Sequence, residues 1–132
     1  MNILLLTPAG TKKVDSVKQI TLPTTSGEIT VLAGHEPIIT ELIAGTIEVV
    51  ADTGNQHFAV FEGFAKINQK EVKVYSAGFE EASSLDEAKI QEAITRAKSQ
   101  KAEAKADVEF AHAAALLERE LAKLKTIRRR HR

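Results

Sequence analysis

The sequence predicts an α+β chain in two parts: an N-terminal all-β sandwich or barrel, then a C-terminal antiparallel two-helix hairpin. Three observations carry that expectation. All seven glycines and three prolines fall at or before Gly78, whereas eleven alanines crowd the stretch after residue 83. Charge divides at the same place, with ten acidic residues against six lysines up to residue 83, then eight acidic residues against twelve basic ones, including all six arginines. The apolar pattern changes there too, from short alternating runs to spacings of three and four. The boundary is set near Ser83-Ser84, giving one domain over residues 1–83 and a second over residues 84–132.

Residues 2–7 read as a strand closed by the turn signal Thr7-Pro8-Ala9-Gly10. Residues 14–22 place Val14, Val17, Ile20 and Leu22 with a break of phase that marks a bulge. Pro23-Thr24-Thr25-Ser26-Gly27 is a loop, residues 28–33 are a strand, and Gly34-His35-Glu36-Pro37 turns the chain again. Residues 46–51 alternate, with Ile47, Val49 and Ala51 on one face and Thr46, Glu48 and Val50 on the other. Asp52-Thr53-Gly54-Asn55 makes a hairpin loop. Strands at 57–61, 64–67 and 71–77 follow, divided by Glu62-Gly63 and Asn68-Gln69-Lys70. Many short strands with regular turns fit a sandwich or a barrel.

In the second part Ser84 is expected to cap a helix, with Glu87 completing a capping box. Ile90, Ala93, Ile94 and Ala97 form its apolar stripe. Asp107 is expected to cap a second helix with the stripe Phe110, Ala114, Leu117, Leu121 and Leu124. The connection at 101–106 lacks Gly and Pro, so a single long helix stands beside the hairpin as an alternative. Alanine favours helix but offers little area at about 25 cal/mol per Å². The hairpin is therefore expected to form readily, to pack weakly and to be able to move.

Composition narrows the chemistry. Without cysteine there is no disulfide and no thiolate metal site. No apolar run reaches the roughly 20 residues that cross a bilayer, and the opening MNILLL does not read as a signal peptide. The chain reads as a mature cytosolic or organelle-matrix protein. His35, His57, His112 and His131 are scattered without metal-ligand spacing, and neither a nucleophile elbow nor a phosphate loop is present. Catalysis has no recognisable carrier. His35 reads as a turn residue bonded to backbone, and Glu28 as either solvated or available to a partner. Asp86, Lys89 and Arg96 share a flank of the first helix, and Arg119 and Lys123 stand one turn apart on the second. Folded back, they make either a solvated basic face or an anion site. The tail at 127–132, IRRRHR, suits RNA or an acidic partner. The last aromatic residue is Phe110, so bases have nothing to stack on and an acidic protein is favoured over nucleic acid.

The order of motifs resembles the epsilon subunit of F-type ATP synthases. The matching residues are Thr7-Pro8, Leu22-Pro23, Gly27-Glu28, Val31-Leu32, Gly34-His35-Glu36-Pro37, Leu42, Gly45, Gly63-Phe64, Val72-x-Val74, Leu85-Asp86-Glu87-Ala88 and Asp107-Val108-x-Phe110. The resemblance implies a β-sandwich with a helical hairpin, and a non-catalytic rotor role that links the gamma shaft to the c-ring. It implies a ring contact at Ser26, Gly27 and Glu28, with His35 on the same end. It implies that the hairpin inhibits ATP hydrolysis when extended, with Lys123, Lys125, Arg128, Arg129 and Arg130 meeting the alpha and beta subunits. Some members bind ATP on the folded hairpin through an I/L-D-x-x-R-A motif. Here that stretch reads Leu85-Asp86-Glu87-Ala88-Lys89-Ile90, and the site would use Glu80, Asp86, Lys89, Arg96, Arg119 and Lys123. Lysines replace two arginines and lack their planar fork, so weak regulatory ATP binding or none is expected, with no cofactor required. The implied location is peripheral, on the cytoplasmic face of a bacterial plasma membrane, with the plastid thylakoid as second choice and no direct membrane insertion. The alternatives are a free-standing anion or nucleotide sensor and an RNA-binding adaptor built on residues 123–132.

Overall fold

The computed structural model describes residues 1–131. Ten strands come first: β1 (Asn2–Thr7), β2 (Gly10–Val14), β3 (Val17–Thr24), β4 (Gly27–Leu32), β5 (Ile38–Leu42), β6 (Gly45–Ala51), β7 (Gly54–Val60), β8 (Gly63–Ile67), β9 (Glu71–Ser76) and β10 (Phe79–Glu81). A 3₁₀ turn at Ala82–Ser84 leads into α1 (Glu87–Glu103) and α2 (Asp107–Arg130).

Strand pairing makes two layers. One runs β4, β3, β6, β7, β10, and the other β5, β8, β9, β1, β2. They join at a corner where Thr24 of β3 pairs with Leu42 of β5. All pairings are antiparallel except β1 with β9, which places Ile3 opposite Val72 and Leu5 opposite Val74. Alternation turns every second residue of a strand inward, and opposed partners share a face. Ile3, Leu5, Ile20, Leu22, Val31, Leu42, Ile47, Val49, Phe58, Val60, Ile67, Val72 and Val74 thereby meet in one core between the layers. The expected bulge exists, where the β3–β6 register shifts between Val17 and Gln19.

Three strands escape the sequence pattern. β2 carries Gly-Thr-Lys-Lys before its single buried Val14, and only its pairing to β1 makes it a strand. The adjacent Ile38 and Ile39 of β5 break strict alternation, and Ile39 faces out. β10 is three residues long and pairs with β7. The expected loop at residues 23–27 shrinks to a tight turn at Thr25-Ser26, because Pro23 and Thr24 still pair with Glu28 and Gly27.

The helices form a hairpin rather than one rod. Ala104 adopts an extended ψ of 129°, which ends α1 without Gly or Pro. Two capping expectations are corrected. Asp86, not Ser84, caps α1, its carboxylate accepting from the amides of Ala88 at 2.9 Å and Lys89 at 3.3 Å. The Ser84 hydroxyl instead donates to the Glu81 carbonyl. A carboxylate at this position also suits the positive end of the helix dipole. The N-cap of α2 is Ala106, which has no side-chain bond to give, and Asp107 is the first residue of the helix.

The second stripe is also corrected. Phe110 and Leu121 are exposed, whereas Ala113, Ala122, Leu124, Thr126 and Ile127 are buried. The reason is that α2 has two neighbours. Leu124, Ile127 and Leu117 meet Ile90, Ile94 and Leu85 in a second apolar cluster. The sheet side of α2 lies across the outer face of β6 and β7, where the cross-strand partners Thr46 and Ala59 are both buried. Thr126 bonds Thr46 there at 2.8 Å, and its own hydroxyl hydrogen goes to the Ala122 carbonyl at 2.8 Å. Thr46 is therefore the donor across the gap. Thr126→Val strands that buried donor and is expected to cost about 1–3 kcal/mol, while Thr46→Val leaves Thr126 satisfied and costs less. Thermal melts of the two variants check this ordering.

Candidate functional site

The β3–β4 tip is built by the sequence Thr24-Thr25-Ser26-Gly27. The Thr24 hydroxyl accepts from the Ser26 amide at 3.2 Å and donates to the Gly27 carbonyl at 2.5 Å. Gly27 has φ +109°, a left-handed value that glycine tolerates, and no atom lies near the place of a Cβ. Ser26, Gly27 and Glu28 are exposed together at this tip. His35 is not with them. Gly27 opens β4 and the turn holding His35 follows its far end, about 3.3 Å further per residue. There the His35 ring donates through Nδ1 to the Glu36 carbonyl at 2.7 Å, and the Gly34 amide donates to Gln69. The single shared end expected for these four residues is therefore corrected to two ends.

The cations of α2 are answered by carboxylates of the chain itself. Arg119 pairs with Glu62 and lies over the Phe61 ring at 5.0 Å. Lys123 lies 3.5 Å from Glu80 and 3.0 Å from Glu120. Arg128 meets Glu87 of α1 at 3.7 Å. Arg129 pairs with Glu28 at the β3–β4 tip and with Glu48 of β6 at 3.2 Å. Lys125 and Arg130 are exposed. Arg132 of the expected basic tail lies outside the described residues. The like-charged neighbours Arg119 and Lys123 would repel if left alone, and Glu62 and Glu80 relieve that strain from the sandwich side.

These pairs leave their mark on titration. The bonded Arg119 guanidinium holds the Glu62 carboxyl below the usual range. Its contribution is present above the ordinary glutamate range and is lost as pH falls through the lowered value. The bond to Glu28 raises Arg129. Each pair is at least partly exposed and is worth about 0–1 kcal/mol. The pairs of Arg119, Lys123 and Arg129 that reach the sandwich therefore add at most about 4 kcal/mol of reversible attachment to a small apolar contact.

The candidate nucleotide residues separate into two groups. Glu80, Asp86, Lys89 and Lys123 line one cleft of about 260 Å³ with Ser84, Leu85, Ile90, Ala93 and Glu120. Arg96 stands exposed on α1 and Arg119 is held by Glu62, so neither lines it. Three carboxylates against two lysines suit a triphosphate poorly, and the cleft is smaller than the roughly 300 Å³ at which small-molecule sites begin.

Sequence reasoning missed Glu48, His57, Thr46 and Thr126. The two-residue turn at Asp52-Thr53 sets the pairing that faces Glu48 with His57. That hairpin register was the available signal for the pair. Nothing local marks Thr126, whose burial comes wholly from docking.

Comparisons with known proteins agree with this architecture. Residues 1–82 match the family model described as ATP synthase, Delta/Epsilon chain, beta-sandwich domain. The chain is similar to the ATP synthase epsilon chain 2 of Ralstonia nicotianae, 34% identical over 118 residues that cover 89% of this chain and 85% of that one. It is 38% identical to the ATP synthase epsilon chain of Prochloron didemni over 86 residues, 65% of this chain and 63% of that one. It is 31% identical to that of Lawsonia intracellularis over 107 residues, 81% and 80% of the two chains. Its fold resembles a chain in the mitochondrial ATP synthase of Euglena gracilis, with a TM-score of 0.74 and 24% identity over 88% of this chain and 74% of that one. With a matching sandwich model over residues 1–82 and a relative aligned through most of both chains, the protein belongs to the ATP synthase epsilon chain family.

Proposed function

We propose that the chain is a non-catalytic central-stalk subunit of a proton-translocating rotary ATP synthase. Residues 1–83 couple the gamma shaft to the c-ring, and residues 84–132 are a regulatory hairpin that restrains ATP hydrolysis when it extends toward the alpha and beta subunits. The observation that carries this reading is the different use of the sandwich's two outer faces. One is covered by α2 through reversible ion pairs. The other is bare: Ile39 of β5 is 68% exposed, and Phe64 of β8 is 45% exposed and stacks on Tyr75 of β9 with ring centroids 4.8 Å apart. An exposed apolar strip on a rigid sheet is a partner surface, and we assign it to the gamma subunit. The Ser26–Gly27–Glu28 tip is the segment we assign to the ring.

The hairpin described here is the folded form. Of the cations proposed for the catalytic head, Lys123, Arg128 and Arg129 are paired internally, so an extended arm must first give up those partners. The cleft around Lys89 and Lys123 binds ATP weakly or not at all, and no cofactor is required. Titration calorimetry on the full chain is expected to show no submicromolar ATP affinity. No helix among the described residues is long and apolar enough to cross a membrane, and we place the chain peripherally on the cytoplasmic face of a bacterial plasma membrane, or on a thylakoid if it is plastid-encoded.

Recovery of the tagged chain from its native membranes tests the assignment. A gamma-type subunit is expected to come with it, and the double variant Ile39→Glu, Phe64→Glu is expected to lose that partner while keeping its fold. Recovery of the wild-type chain alone overturns the proposal.

A further inference from the structure

At the end of α2 one carboxylate oxygen serves two bases. Glu48 and His57 face each other across β6 and β7, and the last turn of α2 lies over them. Arg129 Nε approaches Glu48 Oε2 at 3.2 Å, and His57 Nε2 stands 3.7 Å from the same oxygen. Arg129 also pairs through its terminal nitrogen with Glu28 of β4. Glu48, Asn55, His57, Arg129 and Arg130 line an open cavity of about 530 Å³, and the His57 side chain is only 10% exposed. The charged groups around His57 are Glu48 from β6, Arg129 and Arg130 from α2, and Glu28 at one remove through Arg129. On its other flank β10 pairs Glu81 with Phe58, one register position away.

We propose that this cluster is a proton-sensitive latch: protonation of His57 draws Glu48 away from Arg129 and frees the C-terminal end of α2 from the sandwich. With neutral His57, two guanidinium groups face two carboxylates. A proton on the ring adds a third cation to the same pair of acids, on a side chain that water barely reaches. The imidazolium then competes for Glu48 Oε2, and Arg129 keeps only the half-exposed Glu28. Departure of α2 removes both guanidinium groups and uncovers the ring, so release takes up part of one proton.

The direction of the His57 titration agrees. Burial foremost, then Arg129 and Arg130 against the opposing pull of Glu48, hold its pKa below the ordinary histidine value. A base with a lowered pKa in the docked form favours docking in full above the ordinary histidine range. That advantage is lost as pH falls from there through the lowered value. Acidification thus favours the extended arm, with a ceiling of about tenfold in the open-to-closed ratio per pH unit for a single proton. The regulatory meaning rests on the function proposed above, but the latch is a property of the chain alone.

The chain has no cysteine, so spin labels attach only at introduced sites. Lys70→Cys and Lys125→Cys are both at exposed positions. Label-to-label distances by pulsed electron resonance, taken on the full chain at about pH 7.5 and about pH 5.5, are expected to show a longer-distance population that grows on acidification. His57→Gln is expected to abolish the growth. Identical distributions at both pH values, or an undiminished response in His57→Gln, overturn the latch. A nuclear magnetic resonance titration of His57 does not depend on that variant. Its midpoint is expected to rise in Arg130→Gln, and an unmoved midpoint also overturns the proposal. Neither measurement involves a rotary partner, so its failure leaves the stalk function standing, and failure of the pull-down leaves the latch standing.

Discussion

Removal of residues 84–132 is expected to leave the subunit assembled and to raise ATP hydrolysis about fivefold or more, the low end of ordinary coupling energies of about 1 kcal/mol. The packing explains why assembly survives. The core between the two sheet layers and the cluster between the helices are separate sets of residues. Truncation exposes the outer face of β6 and β7 around Thr46 and Ala59, where the side chains are small, and it leaves the Ile39–Phe64–Tyr75 strip untouched. Lost with the hairpin are the cations Lys123, Lys125, Arg128, Arg129 and Arg130 proposed to reach the catalytic head. Hydrolysis by membranes carrying the truncated or the full chain, each normalised to recovered complex, is the measurement. Equal rates would remove the inhibitory part of the proposal, and loss of the complex would remove the assignment of assembly to the sandwich.

Gly63→Ala is expected to be the most damaging single methyl group in the chain. Gly63 opens β8 opposite Ser76 of β9. A Cβ there would lie 1.9 Å from the Tyr75 carbonyl oxygen and 2.9 Å from the Ser76 Cα. Both are backbone atoms, so no rotamer change relieves the clash and the strands must part. Their separation also disturbs the Ser76 hydroxyl, which reaches the carbonyls of Gly78 at 2.8 Å and Phe61 at 3.1 Å. The expected loss is about 3 kcal/mol or more, a large share of the roughly 5–15 kcal/mol that holds a domain together. Calorimetric melting should fall by about 10 °C or more. Thr53→Ala, on the exposed β6–β7 turn, is the comparison and should move stability by no more than about 0.5 kcal/mol. If the two variants melt together, β8 and β9 do not run this close.

The parts legible in the sequence are those set by local physics. Alternation from Thr46 to Ala51 gave β6 its inward and outward faces, and the shift from Gly and Pro to Ala marked where strands give way to helices. Features that depend on distant partners were not legible. β2 exists because β1 offers it an edge. The buried arc of α2 is set by α1 and the sheet together, so a single stripe through Phe110 and Leu121 misplaced it. At the candidate sites, residue type suggested Glu28 and Arg129 separately, for different partners. Only the fold shows them joined across 101 positions of sequence. Arg96 and Arg119 fell on the right helices, but helical angle alone could not tell that Glu62 would claim Arg119.

The parallel pairing of β1 with β9 has a consequence for how the protein is made. β1 leaves the ribosome well before its partner in residues 71–76, so the sandwich cannot close until those residues emerge. During that interval the nascent chain carries Leu4, Leu5 and Leu6 with one edge unmatched, a site for chaperone attention. Closure of so long a loop makes maturation slower than in a protein of mainly local contacts, and the hairpin, which follows the strands in the chain, settles on a sandwich whose strands have all been made.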